Sequence, residues 1–187
     1  MSLFEWVGRF IDLLVSFVPR FGVIRSTHLG VKWPRGKKSV GLGPGIHWYW
    51  PLLTEMEIIV AARQTNQLPA QSLTLADGSD YSVRGVCVYS INDVVAAIGQ
   101  KNWDVDQTVT DLSQAAITEI VMECDEDSIR NLKGINKQIT ERAQELLNQF
   151  GVAVSACRLV ECVQSSTYRI LGGGSYPIVT DDHSTEE

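Results

Sequence analysis

The chain has 187 residues, 44% of them hydrophobic and 20% charged, with a formal net charge of −6 at pH 7. That length suits one domain with terminal attachments, and the composition excludes wholesale disorder. Four cysteines are too few for a disulfide framework, and an acidic chain does not take nucleic acid as its main partner.

The charge is unevenly placed. Residues 1–40 hold seven Lys/Arg and two acids, whereas the remaining 147 residues hold nine bases and twenty acids. A basic front on an acidic body suits an anionic surface, although a short excess of charge is also commonly no more than solvated.

Residues 3–18 read LFEWVGRFIDLLVSFV. The polar members Glu5, Arg9, Asp12 and Ser16 recur at four-, three- and four-residue spacing, one narrow stripe of an α-helix. Pro19 ends that helix, since it lacks an N–H and disfavours helix for Val18. The segment is not a secretory signal, because its start carries an acid and no base and Asp12 interrupts the apolar stretch. It falls short of the roughly 18–20 uninterrupted apolar residues of a conventional membrane span. A core helix, a helix lying in a bilayer interface and a deeply inserted helix with a hidden seam all remain open. In the membrane reading Leu3, Phe4, Trp6, Val7, Phe10, Ile11, Leu14 and Phe17 contact lipid. Arg20, Arg25, Lys32, Arg35, Lys37 and Lys38 then contact acidic headgroups, each worth about 1 kcal/mol near such a surface.

Residues 22–33 form two short β-prone runs with Gly30 and His28 placed in a turn, followed by a loop-rich stretch punctuated by glycine and proline to residue 45. Trp48, Tyr49 and Trp50 follow Gly-Pro-Gly as an aromatic loop, suited either to a core or to lipid headgroup level. Residues 57–61 (EIIVA) read as a buried strand, and 63–75 as extended chain broken near Pro69. Asp77-Gly78 signals a hairpin. From Tyr81 to Ile91 alternation is strict, the clearest strand in the chain. Asp93 caps a short helix over 94–99. Val105, Val109, Leu112, Ala116 and Ile120 mark a long helix starting near Asp104 or Asp106. Asp125 to Ser128 suits a helix cap better than a cation site. Ile135, Ile139, Arg142, Leu146 and Phe150 mark a second long helix stopped by Gly151, and 152–163 closes with a strand. This is an α+β domain, β-rich first and helical second.

The order of these motifs resembles the SPFH or Band 7 superfamily, which includes stomatin, prohibitin, flotillin and the HflK/HflC pair. Gly30-Val31 with Gly36-Lys37 is similar to its opening hairpin, and Gly43-Pro44-Gly45-Ile46-His47-Trp48 with Pro51 to its GPG signature. Thr74, Asp77 and Gly78 resemble its T-x-D-G turn, residues 83–93 (VRGVCVYSIND) its central strand, Ala115-Ala116-Ile117 its following helix, and Phe150 to Val154 its closing strand. The resemblance spans about residues 22–165. Two departures are Ser90 after Tyr89, where Arg is common, and residues 127–131, which lack a Leu-Leu-x-x-Arg character. No long heptad helix follows the domain, so association is expected through the domain's own faces rather than a coiled coil.

Catalytic signatures are missing. His28, His47 and His183 are scattered, and there is no G-x-S-x-G, H-E-x-x-H or phosphate loop; Gly172-Gly173-Gly174 reads as a linker. Cys87, Cys124, Cys157 and Cys162 read as core thiols, with Cys157 and Cys162 on opposite strand faces. No catalytic, cofactor or metal site is expected.

The expected organisation is a membrane-associating apolar helix over 1–20, an SPFH domain over 21–165 and a flexible acidic tail over 166–187. The resemblance implies a non-enzymatic homo-oligomer that assembles side by side into rings or arcs on membrane lipids. Its expected place is the cytoplasmic face of a bacterial or phage-infected cell's inner membrane. The alternative is an adaptor or regulator that restrains a membrane-anchored ATP-dependent protease.

Overall fold

The structure, a computed structural model, describes residues 18–99 and 104–165. The apolar segment expected at 3–18, except Val18, and the expected acidic tail lie outside the described residues. The described strands are β1 (Arg20–Ile24), β2 (His28–Pro34), β3 (Val40–Leu42), β4 (Gly45–Tyr49), β5 (Thr54–Val60), β6 (Gln64–Gln67), β7 (Gln71–Thr74) and β8 (Asp80–Ile91). A π-helical turn (Val95–Gly99), helices α1 (Val105–Met122), α2 (Glu126–Arg130) and α3 (Leu132–Asn148), and strand β9 (Val152–Gln164) complete the order. The α+β class expected from the sequence is present.

Alternation in the sequence builds the main sheet around β8, whose Tyr81, Val83, Gly85, Cys87, Tyr89 and Ile91 are all buried. β9 runs antiparallel along Tyr81–Ile91, while β6 pairs with Val86–Tyr89 and β7 with Asp80–Val83. A strand has two edges, so β6 and β7 share one and β9 takes the other. The buried lines of α1 (Val109, Ala116, Ile117, Val121) and α3 (Ile135, Ile139, Ala143, Leu147) cover the sheet's inner face. Leu112 and Ile120 flank the buried line of α1 as half-buried residues. The caps are the expected ones: Asp104 accepts from Gln107 N, Asp125 from Ser128 N, and Asp93 from Val95 N and Ala96 N.

Polar side chains at four-residue spacing tie both long helices to this sheet, and those of α3 bond the free backbone edge of β9. On α3, Asn136 accepts from Leu159 N, Thr140 accepts from Cys157 N and donates to its carbonyl, and Gln144 bonds Val152 O and Val154 N. On α1, Thr110 accepts from Asn66, Gln114 donates to Pro69 O, and Thr118 donates to Gln71. Covering the β9 edge in this way blocks its pairing with another chain.

Several local expectations change. Gly30 lies inside β2 and His28 begins it; the turn is at 25–27, where His28 N donates to Arg25 O. A Cβ at Gly30 would come within 2.6 Å of Ile24 Cδ1, so glycine there serves close packing of β1 on β2, and not a turn. β5 is mostly exposed, because it is the outer strand of the order β3-β2-β5 and half of its surface has no neighbour. The short helix after Asp93 is π-helical. Cys157 and Cys162 both face the core. Val160 is skipped between the Gly85–Leu159 and Arg84–Glu161 pairs, and such a bulge inverts the facing of every later residue. A second skip falls at Ser155. In α3, Arg142 belongs to the surface: its Nε donates to Glu119 Oε2 of α1 at 2.5 Å and its Nη1 to Glu145 at 3.1 Å.

The hydrogen bond from Arg142 holds Glu119 below the ordinary glutamate range. A carboxyl depressed in the folded state stabilises above its unfolded value and loses that contribution as pH falls through the folded one. Glu119→Gln should therefore flatten the acid limb of a stability–pH curve measured by urea unfolding. An unchanged acid limb would show that the pair contributes nothing, as exposed pairs often do.

Candidate functional site

Strands β1 and β4 form a separate two-stranded ribbon with the register Arg20↔Tyr49, Phe21↔Trp48, Gly22↔His47, Val23↔Ile46 and Ile24↔Gly45. Because side chains alternate along each strand, Phe21, Val23, Ile46 and Trp48 share one face. That face is exposed: the four residues are 67%, 65%, 73% and 59% accessible. The rings of Phe21 and Trp48 lie 5.2 Å apart between centroids, a cross-strand aromatic pair. The opposite face packs on the β3-β2-β5 sheet, where a Cβ at Gly22 would collide with the Met56 side chain and approach the Tyr49 ring.

The aromatic run at 48–50 is therefore not a loop at its start. Trp48 and Tyr49 end a strand, and alternation sends them to opposite faces. Trp48 joins the exposed apolar face, and Tyr49 turns toward Gly22 and the second sheet. Trp50 follows the strand and is again exposed. Phe21, Val23 and Ile46 were not candidates from the sequence, although the period-two spacing of Phe21 with Val23 and of Ile46 with Trp48 carried the signal. The eight apolar candidates from Leu3 to Phe17 lie outside the described residues.

Exposure of large apolar side chains is concentrated here. Eleven of the fifteen exposed large hydrophobics of the described residues fall between Val18 and Val60. An open hollow of about 370 Å³ lies where Pro19 meets the ribbon, lined also by Trp48, Trp50 and Leu53. Lys32 reaches it from β2 and donates from Nζ to Trp48 O at 2.9 Å.

The six basic candidates do not form one cluster. Arg20 starts β1, and Arg35, whose N donates to Leu53 O, lies at the same end of the module with Lys37 and Lys38 in the following turn. Arg25 lies past the other end of β1, on the order of 16 Å from Arg20. Exposed arginines thus stand at both ends of β1, and the four-residue apolar face between them carries no charge.

Elsewhere the polar residues read as structural. His47 bonds Gly43 O through Nε2 at 2.7 Å, and His28 bonds Thr27 Oγ1 through Nδ1 at 2.9 Å. Burial and a hydrogen bond to Asp106 push Tyr89 above the ordinary tyrosine range. Among the described residues no group of three or more His, Cys, Asp or Glu could hold a metal ion, and no helix is long and apolar enough to cross a membrane.

The family model for the SPFH domain / Band 7 family matches residues 22–169. The chain belongs to the SPFH/Band 7 family. This SPFH chain is also similar to an uncharacterised protein of Archaeoglobus fulgidus, with 21% identity over 155 residues. The match covers 82% of the chain and 62% of the archaeal protein, so the chain spans less than two thirds of that relative's length. SPFH proteins are membrane-associated scaffolds and regulators, generally without catalysis. The face of the β1–β4 ribbon carries four of the fifteen exposed large hydrophobics among the described residues.

Proposed function

We propose that this SPFH protein is a non-enzymatic membrane scaffold that self-associates side by side into rings or arcs on the cytoplasmic face of a membrane. The observation that carries the reading is the uncharged apolar face of Phe21, Val23, Ile46 and Trp48. It lies immediately after the apolar sequence 3–17 and between exposed arginines. In this reading the segment 3–17 and the ribbon face lie together in the bilayer interface. Trp50 sits beside them, and Arg20, Arg25, Lys32, Arg35, Lys37 and Lys38 meet anionic headgroups. Tyr49, half-buried on the opposite face, joins them only through the open hollow that it lines beside Trp48 and Trp50.

Assembly supplies what one copy lacks. A single interfacial helix binds reversibly, whereas linked copies make each later contact intramolecular. Acidic bodies repel, so adjacent copies pair unlike faces, a heterologous contact that closes into a ring or leaves an arc.

Imaging and mass measurement of the protein extracted in mild detergent, beside a variant lacking residues 1–17, test this. Discrete rings or arcs are expected in both, since the cut leaves β1 whole. Monomers in both would remove the scaffold reading. A membrane ATP-dependent protease recovered in fixed stoichiometry would favour the regulator instead.

A further inference from the structure

Cys87 of β8 and Cys157 of β9 stand directly opposite one another in the ladder, and neither has any exposed surface. The type of pairing decides how close they come. In an antiparallel strand a residue's N–H and C=O point to the same side. Cys157 N donates to Thr140 Oγ1 at 3.0 Å, and Cys157 O accepts from the same hydroxyl at 2.9 Å, so both point away from β8 toward α3. Cys87 and Cys157 therefore form a non-hydrogen-bonded pair, in which Cα atoms are about 4.5 Å apart and side chains are closest. Disulfides span Cα separations of roughly 4.4–6.8 Å. The two thiols are near enough to shift each other's proton affinity, and the buried Ser113 hydroxyl of α1 has no hydrogen-bond partner. The other two thiols are poorly placed for either sulfur. Cys162 is five residues further along β9, on the order of 15 Å away, and Cys124 lies beyond the end of α1.

We propose that Cys87 and Cys157 are an oxidative modification site, a buried dithiol that a small peroxide converts to a disulfide joining β8 to β9. One sulfur, as its thiolate, attacks a peroxide oxygen, breaks the O–O bond and becomes a sulfenic acid while water leaves. The second sulfur then attacks the first, the S–S bond forms, and the sulfenic hydroxyl departs as water with the second thiol's proton. Two electrons pass from the sulfurs to the peroxide, so two thiols and one hydrogen peroxide yield one disulfide and two waters. Contact with Cys87 and burial hold Cys157 above the ordinary thiol range, and the same contact holds Cys87 below it, so Cys87 is the sulfur that attacks the peroxide first. With no surface of their own, the sulfurs meet the oxidant only during local opening, which selects a water-sized peroxide over a bulky disulfide such as oxidised glutathione. The closed loop runs from residue 87 to 157 and takes in all three helices, so the bond constrains most of the C-terminal half of the domain.

The test uses the full chain. Folded protein is treated with hydrogen peroxide, unfolded in denaturant with an alkylating agent, and mapped by mass spectrometry. The expected product is a single cross-linked peptide pair containing Cys87 and Cys157, reversed by dithiothreitol, with the thermal midpoint raised on the order of 10 °C. In a Cys157→Ser variant, Cys87 should stop at a sulfenic acid that dimedone traps. Recovery of Cys87 and Cys157 as alkylated thiols, independent over-oxidation of the two, or a lowered midpoint in the cross-linked protein would each overturn the proposal. The wild-type map decides alone if the variant does not fold.

Discussion

Gly151→Ala should destabilise the domain by about 3 kcal/mol or more, lowering the thermal midpoint by roughly 10 °C. Two costs add at this residue. Gly151 ends α3 with φ of 68°, the left-handed region that a Cβ disfavours. A Cβ there would also meet Asp93 O at 2.2 Å, and that atom is backbone, which has no flexible end to move aside. The close approach has a reason. Gly151 O accepts from both Asn92 N and Asp93 N, so the end of α3 is tied to the link between β8 and the π-helical turn that Asp93 caps. Gly78→Ala is the control. Gly78 has φ of 89° and open space around it, so alanine should cost only the backbone strain, about 1 kcal/mol. Urea and thermal unfolding of both variants check this. Equal losses would mean that the strand–helix joint tolerates a side chain and that close packing at Asp93 contributes nothing.

What the sequence disclosed followed from how local the cause was. β8 was legible because one alternating run, Tyr81 to Ile91, has a buried and a half-buried side along its whole length. Gly151 was legible because a glycine just past a periodic helical run is a common left-handed stop. β4 was not, because Gly-Pro-Gly and three adjacent aromatics masked a period of two that only pairing with β1 reveals. Gly30 looked like a turn because its reason, the approach of Ile24, comes from another strand. Cys162 looked opposed to Cys157 because a bulge at Val160 depends on the partner's register, and no residue type announces it.

The two polar ladders were hidden in a different way. Asn136, Thr140 and Gln144, like Thr110, Gln114 and Thr118, are neutral polar residues four apart on helices that also carry charged residues such as Lys137 and Glu141. By period alone they belong to a solvated face. Their chemistry differs: amides and hydroxyls can both donate and accept, which suits a strand edge, whereas a carboxylate or an ammonium serves only one of its two group types. The same contrast bears on the candidate site. The main sheet has its β9 edge bonded by its own helix, while the β1–β4 ribbon presents an apolar face that no described element covers. The N-terminal module is therefore where the domain's outward apolar interactions concentrate.

A ribbon variant carrying Phe21→Glu and Ile46→Glu should bind vesicles rich in anionic lipid on the order of 100-fold more weakly than the unaltered chain. The two positions are diagonal in the ladder, which avoids placing glutamates directly opposite, as Phe21→Glu with Trp48→Glu would. Each substitution removes an exposed apolar side chain worth about 1.5–3 kcal/mol when buried and adds a charge repelled by about 1 kcal/mol. Incomplete burial reduces that sum, and about 2.8 kcal/mol suffices for 100-fold. The residues are exposed and belong to no buried cluster, so circular dichroism and the unfolding midpoint should change little. Flotation on anionic and on neutral vesicles measures the effect. A control carrying Val160→Glu and Val163→Glu, equally exposed on β9, should float like the unaltered chain. Equal loss in the control would move the membrane contact off the ribbon. The size of the detergent-extracted particle then separates the two uses an apolar face can have. Weaker flotation with unchanged particle mass assigns the ribbon to lipid and self-association to another surface. Weaker flotation with a collapse to monomers makes the ribbon the contact between copies, and membrane binding then falls because avidity is lost.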